Sequence, residues 1–154
     1  YVYPAWVDRR LPAGIVFRNA VPGDFDKLMI ALTDEDLADW KPYYRILIEE
    51  GRYGDIFVAQ EDDEIVGMVM GSCNESIWQE RMEKPVGELA CMGVIRSCRG
   101  RGIGKALAAK VTDDLKRRGM TTGYLRWTWL EDWYGSLGYQ RWETFHMMSK
   151  QRMD

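Results

Sequence analysis

Histidine is almost missing from this chain: His146 is the single one in 154 residues, and cysteine is limited to Cys73, Cys91 and Cys98. With those numbers and that spacing, a zinc site is not expected, and neither is any other metal centre. An odd cysteine count makes a poor disulfide framework, and unpaired thiols fit a reducing, cytoplasmic compartment. No apolar run reaches the ~20 residues that cross a bilayer, so no membrane partner is expected. An excess of basic residues is lacking too: 21 Lys plus Arg stand against 24 Asp plus Glu, a formal charge of −3. A domain that grips duplex nucleic acid carries a basic stripe, so no nucleic-acid partner is expected; the acidic balance suits a cationic small substrate better. Internal repeats and Gly/Ser linkers are absent from the pattern.

What is present is enough for one domain. Apolar residues make up 46% and charged residues 29%, an ordinary globular balance that speaks against disorder. The stretch Tyr1–Gly14, rich in aromatics and proline, reads as an irregular N-terminal arm before a single domain over 15–154. The chain begins at Tyr1 rather than methionine, as expected of a trimmed chain or a piece of a longer protein.

Apolar spacing places the elements. Ile15–Arg18 reads as a strand; Pro22 opens a helix whose stripe is Phe25, Leu28, Met29 and Leu32. A second helix starts at Pro42 and stops before Gly51. Ile56–Ala59 and Ile65–Met70 flank an Asp62-Asp63-Glu64 turn as an antiparallel pair. Asn74–Pro85 is polar and ambiguous, a loop with one helical turn. Leu89–Ile95 is the next strand. Ile103, Ala106, Leu107, Val111 and Leu115 form the stripe of a strong helix capped by Gly119. Tyr124–Thr128 is a strand, Trp133–Leu137 a short helix, and Trp142–Met148 a last strand. The order β-α-α-β-β-β-α-β-α-β is that of an α/β domain with a mixed sheet.

Arg99-Gly100-Arg101-Gly102-Ile103-Gly104-Lys105 stands between a strand and a helix. Glycines there let a ligand approach the backbone, and the N–H groups at a helix start form an anion cradle. The spacing is neither that of a Walker loop nor that of a dinucleotide fingerprint. Taken alone, it is equally an ordinary strand-to-helix turn.

Arg99-Gly100-Arg101-Gly102-Ile103-Gly104 matches the [QR]-x-x-G-x-[GA] signature, so the segment resembles the GNAT N-acetyltransferase superfamily. Trp133-Tyr134-Gly135-Ser136-Leu137-Gly138-Tyr139 is similar to that family's [FY]-Y-x-x-L-G-[FY] element. Val16–Asp24 resembles its first strand and helix start, and Val58–Gly67 its central hairpin. The four stand in the family's order across Ile15 to about Lys150. The resemblance implies a mixed, mostly antiparallel sheet of about six or seven strands with about four flanking helices, and a splayed strand at an acyl-CoA site.

It further implies acetyl-CoA as co-substrate, without a metal. Main-chain N–H groups of Arg99, Gly100, Arg101, Gly102, Ile103, Gly104 and Lys105 would hold its pyrophosphate, and the Met92-Gly93-Val94 backbone its pantetheine arm. The acceptor would be an amine. A lysine-like amine near pKa ~10.4 is neutral about once in a thousand at pH 7, so a general base is useful. A strand N–H near Val94 would stabilise the oxyanion. Tyr134 occupies the position of the leaving group's acid. A phenol near ~10 giving its proton to a thiol near ~8.5 is uphill by roughly 2 kcal/mol, so a strong hydrogen bond to sulfur with late transfer is expected. Glu88 aligns with a family base. By period-two alternation Glu88, Ala90, Met92 and Val94 share one face, with Glu88 toward the acceptor. Glu75, Glu131 and Asp132 are weaker candidates. Trp127 stands where many members carry an asparagine that touches the acyl-CoA arm.

Trp127, Trp129, Trp133 and Trp142, with Trp40, Tyr43 and Tyr44, fall in the two regions that flank the family's acceptor groove, though any single one is more often a core or lid residue. The run from Trp129 to Ser149 resembles GNAT domains found beside sugar hydrolases. An amino sugar therefore stands beside polyamines, small amines and protein amines as acceptor. A homodimer is expected by analogy. His146, alone on its strand, is expected to be a core histidine, and Cys98 has no histidine partner for nucleophilic work. Two other classes fit the same residues: a non-catalytic acyl-CoA-binding or interaction domain, and a nucleotide-binding module.

Overall fold

The computed structural model describes residues 13–73, 76–126, 128–144 and 146. Most of the N-terminal arm, Glu75, Trp127 and Met147–Lys150 therefore lie outside the described residues. The elements run β1 (Ile15–Asn19), α1 (Phe25–Ala31), α2 (Lys41–Glu49), β2 (Ile56–Glu61), β3 (Glu64–Ser72), α3 (Ser76–Met82), β4 (Val86–Val94), α4 (Ile103–Arg117), β5 (Thr122–Leu125) and α5 (Glu131–Gly135). This is the α/β fold expected of the family, with a mixed sheet.

The sheet has five strands in the order β1-β2-β3-β4-β5. Neighbours pair antiparallel except β4 and β5, which are parallel. The expected six or seven strands shrink to five among the described residues, because Trp142, Glu143, Thr144 and His146 carry no strand there. The polar stretch after Cys73 forms α3 rather than a loop with a single turn.

Each sheet face is covered by different helices. On one, Leu28 and Leu32 from the α1 region and Tyr44, Leu47 and Ile48 of α2 meet Ile56, Val58, Ile65 and Met68. On the other, Ile103, Leu107, Val111 and Leu115 of α4 meet Phe57, Ala59, Val66, Val69 and Leu89. The apolar stripe read from the sequence of α4 is thus its buried face. Removing a buried leucine such as Leu107, 1% exposed, costs about 2–5 kcal/mol.

Pro22 opens a 3-10 turn, Pro22–Asp24, that feeds α1. Asp24 is 3% exposed. Its carboxylate takes two bonds from the Arg18 guanidinium, at 2.6 and 2.9 Å, and one from the Val21 N–H at 2.8 Å. Asp55, also buried, is held by Arg52 at 2.9 Å and Arg118 at 2.7 Å. These charge-assisted bonds tie the turn before α1 to β1 and the turn before β2 to the C-terminal end of α4.

Strand β4 is irregular in a way that matters for the site. Met70 pairs with Ala90 and Met68 with Gly93, so Cys91 and Met92 together stand opposite Val69. Cys91 sits at φ 47°, in the left-handed region that glycine favours. This is a β-bulge, and it reverses the side-chain alternation past it.

Candidate active site

The bulge corrects the face assignment made from period two. Leu89, before it, packs into the α4 cluster, so Glu88 and Ala90 point to the α1/α2 side. After it, Cys91 packs on the α1/α2 side, while Met92 and Val94 pack on the α4 side. Glu88 therefore does not share a face with Met92 and Val94. One extra residue in the strand is the physical reason.

Just before the bulge β4 also loses a neighbour. Its pairing with β5 runs from Val86 opposite Thr122 to Leu89 opposite Leu125 and ends there. From Ala90 to Val94 the strand keeps β3 on one edge, and among the described residues no strand pairs with its other edge. Unpaired strand backbone of this kind presents N–H and C=O groups to an extended, amide-bearing ligand.

The glycine turn follows directly. Gly100 and Gly102 take φ 79° and 82°, and a Cβ added at either would meet nothing within 4 Å. The first helical bond of α4 runs from the Ala106 N–H to the Gly102 carbonyl at 3.1 Å, so the N–H groups of Ile103, Gly104 and Lys105 precede the helical ladder. No acidic residue stands in that first turn. Oriented donors beside a helix N-terminus favour an anion.

The two arginines of the turn are engaged elsewhere. Arg101 forms a two-point pair with Glu61 at 2.9 and 2.6 Å, which raises its pKa further. Arg99 donates from Nε to the Val94 carbonyl at 2.9 Å and from Nη1 to Asp36 at 2.6 Å. Its own N–H turns back to the Arg96 carbonyl at 3.4 Å. The cradle is thus main chain from Gly100 to Lys105, braced by guanidinium groups at both sides.

Tyr134 lies on α5, 7% exposed, in the same cluster as Met92, Val94 and Ile103. Its ring meets Trp133 edge-on with centroids 4.7 Å apart, and Tyr139 at 5.8 Å. Tyr139 is itself fixed, donating to the Thr112 hydroxyl at 2.5 Å. Burial first, and Tyr139 second, push the Tyr134 phenol up to about 12.

On the opposite face Glu88 is 4% exposed. Arg126 donates from Nη2 to Oε2 at 3.2 Å, and its Nε lies 2.9 Å from Oε1 as an ion pair without hydrogen-bond geometry, so Oε1 is buried with no hydrogen bond. Tyr124, level with Glu88 on β5, meets Trp142 edge-on at 6.0 Å, and the Arg81 guanidinium lies 5.3 Å from the Trp142 ring centre. Arg81 also pairs with Glu143 at 2.7 Å.

The aromatic residues divide. Trp129 is 79% exposed, and Tyr43 and Trp142 are about half exposed. Tyr44 is fully buried, so it is a core residue rather than a groove wall. His146 is exposed, against the expectation of a core histidine. Glu131 and Asp132 open α5 and suit its positive end. Sequence reasoning missed Arg126, which no motif marks. It also missed the role of Tyr44, whose i+3 and i+4 spacing to Leu47 and Ile48 was the available signal.

A family profile, the acetyltransferase (GNAT) family, matches residues 25–139. The chain belongs to the GNAT acetyltransferase family, a family of transferases. It is similar to a fungal multi-domain GH3 β-N-acetylglucosaminidase in which a GCN5-related glucosamine N-acetyltransferase region exists, with a TM-score of 0.83 and 29% identity over 92% of this chain. It spans 18% of that protein's length. It shares the fold of glucosamine-6-phosphate N-acetyltransferase from Arabidopsis thaliana, with a TM-score of 0.64 and 21% identity over 88% of this chain and 97% of that one. It also shares the fold of N-acetylglutamate synthase from Neisseria gonorrhoeae, which was solved with coenzyme A and N-acetylglutamate (TM-score 0.63, 18% identity, 84% of this chain and 29% of that one). Among curated proteins none matches in sequence. Among the described residues no group of histidine, cysteine or carboxylate side chains is arranged to hold a metal, and no helix is long and apolar enough to cross a membrane.

Proposed function

We propose that the chain is an acyl-CoA-dependent N-acyltransferase that moves the acetyl group of acetyl-CoA to a primary amine by direct attack. One observation carries this: the open edge of β4 after Leu89 leads into a main-chain N–H cradle, with Tyr134 buried on the same side as Met92 and Val94. The residues fit the coenzyme. Gly100 and Gly102 leave room where a diphosphate would lie, and the N–H groups of Ile103, Gly104 and Lys105 precede the first helical bond and would hold it. Bound acetyl-CoA supplies an activated thioester.

The chain's own groups do the rest. The backbone of Met92, Gly93 and Val94 orients the pantetheine arm, and a strand N–H near Val94 takes the charge that develops at the carbonyl oxygen. Glu88, on the other face, accepts the amine's proton. Arg126 hydrogen-bonds Oε2 and pairs with the carboxylate as a whole, while Oε1 has no hydrogen bond and is the oxygen that would take the proton, directly or through a water. Tyr134 donates to the departing sulfur. With the phenol near 12 and an ordinary thiol near ~8.5, full transfer is uphill by about 5 kcal/mol. A thiolate in the same buried setting is raised as well, so the gap narrows. Tyr134 acts chiefly as a hydrogen-bond donor, and the thiol takes its proton late. The N–C bond forms, the C–S bond breaks, and the proton lost by nitrogen is matched by the one gained by sulfur.

For the acceptor we favour an amino sugar over a polyamine or a protein amine. Support comes from the fungal relative, a multi-domain protein with a glucosamine N-acetyltransferase region, and from rings and charged groups gathered at Glu88: Tyr124, Trp142, Arg126 and Arg81. Thiol release from acetyl-CoA with a panel of amines tests the proposal. Amine-dependent release, fastest with hexosamines, is expected. Coenzyme binding without release for any amine would leave a non-catalytic acyl-CoA-binding domain.

A further inference from the structure

The segment between α1 and α2, together with α2 itself, grips β4 at three successive points. Tyr44, fully buried, donates its hydroxyl to the Cys91 carbonyl at 2.7 Å, at the residue with positive φ. Gly93 is pressed by Leu37 and Trp40; a Cβ added there would lie 2.8 Å from the Trp40 ring and closer still to the Leu37 side chain. Past the strand, Asp34 accepts the Arg96 N–H at 2.7 Å, and Asp36 pairs with Arg99, whose Nε holds the Val94 carbonyl.

A cysteine held at φ 47° is conformationally strained by about 1–2 kcal/mol, so the bulge persists only where its surroundings hold it. The Tyr44 hydroxyl is the one side-chain donor among the described contacts that bonds the bulged residue's carbonyl. Burial in an apolar cluster strengthens that bond and makes its loss costly. The bulge in turn places Met92 and Val94 on the Tyr134 side, along the stretch of β4 that follows its last pair with β5 at Leu89.

We infer that Tyr44 is a positioning residue: through its bond to the Cys91 carbonyl it fixes the bulge that shapes the coenzyme-binding edge of β4, resting as this does on the coenzyme A site proposed above. Tyr44 touches neither substrate. It acts from the α1/α2 side on a backbone that meets coenzyme from the α4 side.

The test compares Tyr44→Phe with Ile48→Val, a packing change of similar stability cost on the same helix. Three readouts are taken on each folded protein: coenzyme A affinity by calorimetry, KM for acetyl-CoA and for amine, and hydrogen exchange at the 91–94 amides. Tyr44→Phe is expected to weaken coenzyme A about 3- to 10-fold, the loss of one hydrogen bond of about 0.7–1.4 kcal/mol. KM for acetyl-CoA should rise in step while KM for the amine holds, and the 91–94 amides should exchange faster. Ile48→Val should change none of these. Unchanged affinity and exchange in Tyr44→Phe, with only a lowered melting temperature, would overturn the inference. Wild-type protein that binds no coenzyme A would overturn the coenzyme site and the link to it, and exchange would still show whether Tyr44 holds the bulge.

Discussion

Glu88 and Tyr134 lie on opposite faces of strand β4, both buried, and the strand bulges at Cys91, just past its last pair with β5. Leu89 shares Tyr134's cluster, so its neighbour Glu88 points the other way. A thioester carbonyl held against the open edge would meet the amine from the Glu88 side and release sulfur toward the Tyr134 side. In the proposed reaction the two groups would therefore carry separable steps.

Tyr134→Phe should lower kcat by about 10- to 100-fold, the range of a lost charge-assisted hydrogen bond, while coenzyme A affinity stays within about twofold. Burial has pushed the phenol up to about 12, so it keeps its proton at every working pH. The shape of the pH–rate profile below about pH 11 should then be the same in wild type and variant, with only the plateau lowered. Stopped-flow thiol release across pH 6–10 checks both. An unchanged plateau would remove Tyr134 from the reaction.

Glu88→Gln should reduce kcat/KM for the amine by about 10²-fold or more, the usual contribution of a general base. The amide is isosteric and Arg126 is half exposed, so the fold should survive. Steady-state rates over a range of amine concentrations measure the loss. Activity within twofold of wild type would assign Glu88 a purely structural pairing with Arg126.

Cys91 stands at the bulge, and an acyl-cysteine route would have to use a thiol near this place. Its thiol is pushed up to about 11, by burial first and by the Glu88 charge second. At pH 8 its thiolate is more than two orders of magnitude scarcer than that of an ordinary thiol, and alkylation should be slower by about that factor. Initial-rate plots with both substrates varied should intersect, as direct attack requires. Parallel lines, with an acetyl group recovered on Cys91, would contradict direct attack.

Asp24 is the clearest pH-linked contribution to stability. The Arg18 guanidinium, then the Val21 N–H, hold its carboxyl below the usual carboxylate range. Because the native value is lowered, the contribution is complete above the unfolded value of ~3.9 and is lost as pH falls through the native one. Asp24→Asn should cost about 1.5–3 kcal/mol at pH 7. The gap between wild type and variant should close as pH drops below about 4. Urea unfolding at pH 7, 4 and 2.5 measures it; a gap that stays constant would show that the charge of Asp24 contributes nothing.

Local features were the legible ones. The glycine turn, the α4 stripe and the Gly119 cap depend on residues within a few positions of one another, and the structure has them where the spacing puts them. The face of Glu88 was not legible, because a bulge at a non-glycine residue leaves no mark in sequence: Cys91 at positive φ is imposed by tertiary contacts. The partners of the turn's arginines were equally hidden. Arg101 reaches Glu61 and Arg99 reaches Asp36 across 40 and 63 residues. Tyr44 looked like a groove aromatic because an apolar ring with a polar tip serves either place. Strand β5 begins two residues before the expected Tyr124 and ends at Leu125, since only Thr122–Leu125 has a partner in β4.

A backbone NMR titration with coenzyme A bears most directly on the proposed clasp. The amides of Met92, Gly93 and Val94 and of Gly100 to Lys105 should shift together and saturate at one dissociation constant, with dephospho-coenzyme A moving the same set and ATP leaving 92–94 in place. Saturable binding that leaves these amides unmoved while others shift, or no shift at millimolar coenzyme, would contradict a main-chain site on the open edge of β4.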